Sequence, residues 1–188
     1  MKFTSLVAFA SVLGLSVTAS SVLPTACGPN ANILSESSFA HKGAEVKLTT
    51  ISCQGSDVRG RGSLANVSKR QVVSQCDAVT NPCSSILCDI RPEQPSLLDC
   101  NELTISLDSL LDPILFPPST GMMITLATCT YVYVNLDIVE YSVCGSTLGT
   151  LGMETTTHCV ATSTNSNGGL CFSPEVPGND WFFSAGAS

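Results

Sequence analysis

Ten cysteines in a chain of 188 residues constrain this fold more than any other feature. None has the paired C-x-x-C or Cys/His spacing of a metal site, so neither a metal nor a cofactor is expected. The cysteines read instead as disulfides. These form in oxidising compartments and let small domains hold together around a small core. The opening residues agree. "MKFTSLVAFASVLGLSVTAS" has one base, Lys2, an apolar run from Leu6 to Val17, then small residues at Thr18, Ala19 and Ser20. That is the pattern of a secretory signal peptide over residues 1–19, cut after Ala19. The apolar run is shorter than the ~18 residues a membrane span needs, and no later stretch is long enough either. The expectation is a secreted, extracellular protein with no membrane insertion.

A second boundary follows. The stretch "DVRGRGSLANVSKR" is small, polar and Gly-rich and ends in the dibasic pair Lys69-Arg70, the kind of site secretory proteases cut. Residues 20–70 contain Cys27 and Cys53; residues 71–188 contain Cys76, Cys83, Cys88, Cys100, Cys129, Cys144, Cys159 and Cys171. Both counts are even, so each part can close its own bridges, Cys27 pairing with Cys53. Charge divides at the same place. Residues 20–70 carry six bases and three acids, net +3, and residues 71–188 carry twelve acids and the single base Arg91, net −11; with Lys2 these give the −7 of the whole chain. The sequon Asn66-Val67-Ser68, an N-glycosylation acceptor, lies in the first part. The chain is therefore read as a basic pro-segment, 20–70, ahead of a mature domain, 71–188. The acidic balance of that domain excludes nucleic acid and anionic membranes as partners.

Within 71–188 the pattern predicts an α+β domain: one antiparallel sheet with one or two helices packed on it. Asp99 reads as an N-cap with Glu102 three residues on, and Leu103, Leu107, Leu110 and Leu111 mark one helical face. Pro113 ends that helix, "ILF" is a short strand and "PPSTG" a turn. "MMITLATCTYVYVNLD" reads as a single central strand, Cys129, Tyr131, Tyr133 and Asn135 on one face and Thr130, Val132, Val134 and Leu136 on the other. "IVEYSVC" should be its hairpin partner. "GSTLGTLGMETTTHC" favours a short helix, although three glycines weaken it by ~1 kcal/mol each relative to Ala. "ATSTNSNGGLC" reads as a polar loop turning at Gly168-Gly169 and closed by a Cys159–Cys171 bridge, and "DWFFS" as a terminal strand.

Catalytic signatures are missing: there is no G-x-S-x-G, H-E-x-x-H or P-loop. Glu154 and His158 stand four apart and meet if the segment is helical, as an acid/base pair, as half a metal site or, the better reading, as structural or surface groups. Sugar recognition combines an aromatic face with carboxylate or amide groups. The candidates are Trp181 beside Asn179 and Asp180, and the loop residues Asn165 and Asn167. Tyr131 and Tyr133 could join them, although their shared strand face suits core packing better.

From Cys76 to Phe183 the chain resembles the mushroom glycan-binding proteins of the "Y-three" type. The resemblance rests on Asp99-Cys100 opening a helix and on "ITLATCTYVYVN" with Thr128-Cys129 and Asn135. "EYSVC" ending at Cys144, Cys159 followed by "GGLC", and an aromatic end at Trp181 to Phe183 complete it. That family has Tyr-Cys and then a Trp in the next helix; here Ser142-Val143 intervene and "GSTLGTLG" has no Trp. The resemblance implies a single-domain, disulfide-stapled α/β sandwich, a non-catalytic, lectin-like role towards complex glycans or glycoproteins, possible use in defence, and a homodimer formed through sheet edges. The rival readings are a small secreted enzyme using Glu154 and His158, and a structural or effector protein without a sugar ligand.

Overall fold

The computed structural model describes residues 27, 31–53, 72–76, 83–163, 166–174 and 179–188. Lys69, Arg70, Asn66 and Asn165 lie outside the described residues. The fold is α+β. The described residues form ten strands: β1 (Asn32–His41), β2 (Ala44–Ser52), β3 (Val72–Gln75), β4 (Ser85–Asp89), β5 (Ile114–Phe116), β6 (Thr120–Leu126), β7 (Cys129–Asn135), β8 (Glu140–Val143), β9 (Gly168–Phe172) and β10 (Trp181–Ala187). Helix α1 spans Leu97–Asp108 and α2 spans Gly145–Thr156, continued by a π-helical turn at Thr157–Ala161.

Seven strands form one sheet in the order β1-β2-β6-β7-β10-β9-β4, every neighbouring pair antiparallel. The other three form a small mixed sheet, β3-β8-β5, with β3 and β8 parallel. Alternation along the strands sorts side chains between two faces. Tyr131 and Tyr133 of β7, Trp181 and Phe183 of β10 and Ile124 of β6 point into the main core. There they meet Leu103 and Leu107 of α1, Leu148 and Leu151 of α2, and Phe116 and Tyr141 of the small sheet. The opposite face carries Val132, Val134, Phe182 and Ile51 with the Cys27–Cys53 bridge. Every residue of β7 is buried, as its two apolar faces require.

Several expectations change. The long strand expected across residues 122–137 is a hairpin, β6 and β7, folded at Ala127-Thr128, with Ala127 at φ 49° and Leu126 opposite Cys129. The partner of β7 is β10 rather than β8; β8 leaves the main sheet for the small one. Gly168-Gly169 opens strand β9 instead of turning a loop. The N-cap of α1 is Ser96, whose Oγ accepts from the Asp99 amide. Asp99 sits in the first turn, where its carboxylate accepts from the backbone N–H and the hydroxyl of Thr128, pinning the helix start to the β6–β7 turn. The segment read as a pro-segment supplies β1 and β2, which extend the sheet beyond β6.

Five disulfides staple the fold: Cys27–Cys53, Cys76–Cys144, Cys83–Cys171, Cys88–Cys159 and Cys100–Cys129, leaving no free cysteine. The expected Cys159–Cys171 bridge is replaced by two crossings to the β4 side. Cys88 lies opposite Gly169 in the β4–β9 ladder. A side chain on Gly169 would meet Cys159 Sγ at 2.6 Å. The bare glycine thus leaves room for Cys159 to reach across β9 to Cys88.

Candidate functional site

An open groove of about 710 Å³ lies on the described surface, lined by Ile86, Thr104, Thr150, Met153, Glu154, Thr157, His158 and Thr162. Three elements build it. Strand β4 brings Ile86, α1 brings Thr104, and α2 with the π-helical turn brings the rest. Thr150, Met153, Glu154, Thr157 and His158 recur at steps of three and four, which puts them on one helix face. Glu154, Thr157, His158 and Thr162 are exposed, and Met153 is half-buried. The opposite face of α2 is packed: Leu148, Leu151, Thr155 and Thr156 are buried. The Cys88–Cys159 bridge ties β4 to the π-helical turn next to His158, fixing the two walls relative to each other.

The groove is rich in hydroxyls. Thr150 donates to Ser146 O at 2.9 Å and Thr162 to His158 O at 2.5 Å, so both turn oxygen lone pairs outward as acceptors. Thr104 is committed inward, sharing a hydrogen bond of 3.1 Å with the Tyr131 hydroxyl. Glu154 contributes a carboxylate and His158 an imidazole, and Ile86 and Met153 are the apolar members of the lining. The arrangement can exchange hydrogen bonds with a polyhydroxylated ligand and cover one apolar face. The widened π turn begins immediately after α2, between Glu154 and His158; such irregularities are frequent at functional sites.

Residues singled out from sequence fall elsewhere. Trp181 is 1% exposed, stacked on Tyr133 with ring centroids 5.7 Å apart, and its indole N–H donates to Asn179 Oδ1 at 2.7 Å. Tyr131 and Tyr133 are equally buried. These three rings are core groups and offer no platform to a ligand. Asn179 also accepts from Gln75 Nε2 at 3.2 Å, and Asp180 receives the Tyr141 hydroxyl at its carbonyl while its amide donates to that hydroxyl. Asn167 donates to Arg91 O at 2.7 Å. Arg91 packs against Gly168 and Gly186, where a side chain would collide with it, and is paired with Asp89 at 2.9 Å and Ser184 at 2.9 Å. Glu154 and His158 share the groove, and of the sequence candidates only these two line it. Thr150 and Thr157, seven residues apart and so on one helical face with Glu154 and His158, are the signal in the sequence that marks the rest of this wall.

Among the described residues, no group of three or more His, Cys, Asp or Glu side chains could hold a metal ion, and no helix is long and apolar enough to cross a membrane. No protein-family model, curated protein or solved structure matches this chain.

Proposed function

We propose that this is a secreted, non-catalytic carbohydrate-binding protein whose ligand site is the threonine-lined groove beside α2. One observation carries the reading: side-chain hydroxyls, one carboxylate, one imidazole and the apolar Ile86 and Met153 line one open groove of about 710 Å³. Sugars present hydroxyl edges and C–H faces, and this mixture of acceptors, donors and apolar surface complements both. Five disulfides suit an extracellular setting. The partners proposed are complex glycans or glycoproteins, in a defensive role, with a homodimer formed through the sheet edges; β1, exposed along most of its length, is one such edge.

The test is a glycan array probed with the purified protein, followed by titration of any hit against Glu154→Ala and Thr157→Ala/His158→Ala. Loss of binding by about tenfold or more in folded variants is expected. A glycan that binds these variants as tightly as the parent removes the groove from the reading.

A second reading has its own observation: Glu154 and His158 stand one turn apart in the same groove, where the helix widens. An acid/base enzyme would use this pair on the bound glycan. It predicts turnover of an array hit by the parent, abolished in both Glu154→Gln and His158→Ala, whereas a lectin returns the glycan intact.

A further inference from the structure

The hairpin of β1 and β2 has an unusual attachment. It completes the seven-stranded sheet, yet its only disulfide, Cys27–Cys53, closes within its own segment. The other four bridges all lie among residues 76–171. Its union with the rest is noncovalent apart from the connecting chain, and that chain contains Lys69-Arg70. The noncovalent union is extensive. Lys47 to Ser52 of β2 pair with Thr125 to Thr120 of β6, and the Cys53 amide adds a bond of 2.9 Å to Ser119 O. Val46 and Ile51 are fully buried, one in the main core and one on the opposite face, so the strand is clamped from both sides of the sheet. Gly121 of β6 lets Ile51 approach closely: a side chain there would meet Ile51 Cγ1 at 3.3 Å. At the tip, Lys42 reaches Glu102 of α1 at 3.8 Å, and His41 Nδ1 lies 3.2 Å from Ser109 Oγ. Charge works in the same direction, with net +3 on residues 20–70 and −11 on residues 71–188.

We propose that the β6 edge of the 71–188 body is a binding surface for its own N-terminal hairpin, and that the hairpin remains bound there as a separate subunit once the chain is cut after Arg70. The segment is then a permanent structural subunit and not a propeptide to be discarded. Losing it would strip β6 of a backbone partner along six residues and uncover the core beside Val46 and Ile51. This rests on the reading of Lys69-Arg70 as a processing site, and the experiment separates the two.

Intact mass of the secreted protein in denaturant, without reductant, reports the cut: two chains if it is processed, one if it is not. One chain ends the processing reading alone, and purified protein is then cut at Lys69-Arg70 with a dibasic-specific endoprotease. Native mass spectrometry of the cut protein decides the proposal. Expected is a single species holding both chains, which separates in denaturant without reductant. Val46→Asp and Ile51→Asp should raise the free 71–188 fraction by about tenfold or more, and Lys42→Ala by less. Free 71–188 as the main species of unmutated cut protein overturns the proposal, as does a pair of chains that denaturant alone cannot part. If the protease does not reach the site, co-expression of 20–70 and 71–188 as separate chains gives the same readout: co-purification supports the proposal, and independent recovery of the two overturns it.

Discussion

The ring of Tyr131 lies directly against the backbone of Gly152: a side-chain carbon built on that glycine would sit 2.2 Å from Tyr131 Cε2. The relationship recurs along α2. Gly145 faces Leu107 O and Gly149 faces Thr104 and Asp108. Spaced at i, i+4 and i+7, the glycines form a bare stripe on which α1 and the sheet close in. Gly152→Ala should therefore destabilise the fold although alanine is the better helix former. The ~1 kcal/mol gained in helix propensity is outweighed by overpacking of ~1–3 kcal/mol or more against a buried aromatic ring. Urea unfolding that shows Gly152→Ala as stable as the parent would refute the close packing.

Two neighbouring tyrosines should respond in opposite ways to loss of the hydroxyl. Tyr131 OH donates to Cys100 O at 3.0 Å and shares a hydrogen bond with Thr104. Tyr133 OH is buried with no partner among the described residues. Tyr131→Phe should cost about 1 kcal/mol or more, and Tyr133→Phe should be neutral or stabilising, because a buried unpaired hydroxyl carries a desolvation cost with nothing returned. Paired denaturation curves check the order; a larger loss for Tyr133→Phe reverses it.

All three tyrosines, Tyr131, Tyr133 and Tyr141, are buried, and burial is the leading cause that lifts each phenol above its ordinary value. Because the folded values are raised, their contribution to stability is fully present below the unfolded value, near pH 10, and is lost as pH rises through the folded values. Stability should fall above about pH 10, with tyrosinate absorbance growing in step with loss of the near-ultraviolet dichroism. Phenolate appearing at the free-tyrosine pH while the fold persists would contradict the burial.

Sequence made the α+β class legible because period and composition are local. The alternation through Cys129 to Asn135 and the apolar face of Leu103 and Leu107 are written in neighbouring residues. The turn at Ala127-Thr128 was hidden because it uses no Gly, Asn or Pro, and a β-rich run continues on both sides. The partners of β8 are set by sequence-distant strands, which no local pattern encodes. The glycines of α2 counted against a helix when only propensity was weighed, whereas they serve its packing. Glu154 and His158 were visible as a helical pair; the groove around them needed Ile86 from β4 and Thr104 from α1, which only the fold brings near.

The Cys88–Cys159 bridge should matter to the groove more than to the core. Cys88 is exposed on the edge strand β4, while Cys159 sits beside His158 at the groove wall. A Cys88→Ser/Cys159→Ser double variant removes one cross-link, costing ~2–4 kcal/mol by the usual range. With three bridges left in residues 71–188 it should stay folded and lose groove binding, through freedom between β4 and the π turn. Peptide mapping of the parent checks the pairing; a peptide joining Cys159 to Cys171 would overturn it. Glycan titration of the double variant then checks the link to binding, and unchanged affinity would remove it.

Trp181 offers the last test, because it is the only tryptophan in the chain. Its ring is buried, stacked on Tyr133, with the indole N–H tied to Asn179 and its backbone amide to Ser173 Oγ at 3.0 Å. Trp181→Ala should cost ~3–5 kcal/mol, the range for emptying a buried aromatic site. In the parent, the fluorescence of Trp181 should be blue-shifted and poorly quenched by iodide until the protein unfolds. Saturating glycan should leave that emission unchanged, since the groove is lined by Glu154, His158 and threonines without this ring. A glycan that quenches or shifts the emission while the fold stays intact would move the binding site to the end of β10, where Asn179 and Asp180 flank the tryptophan.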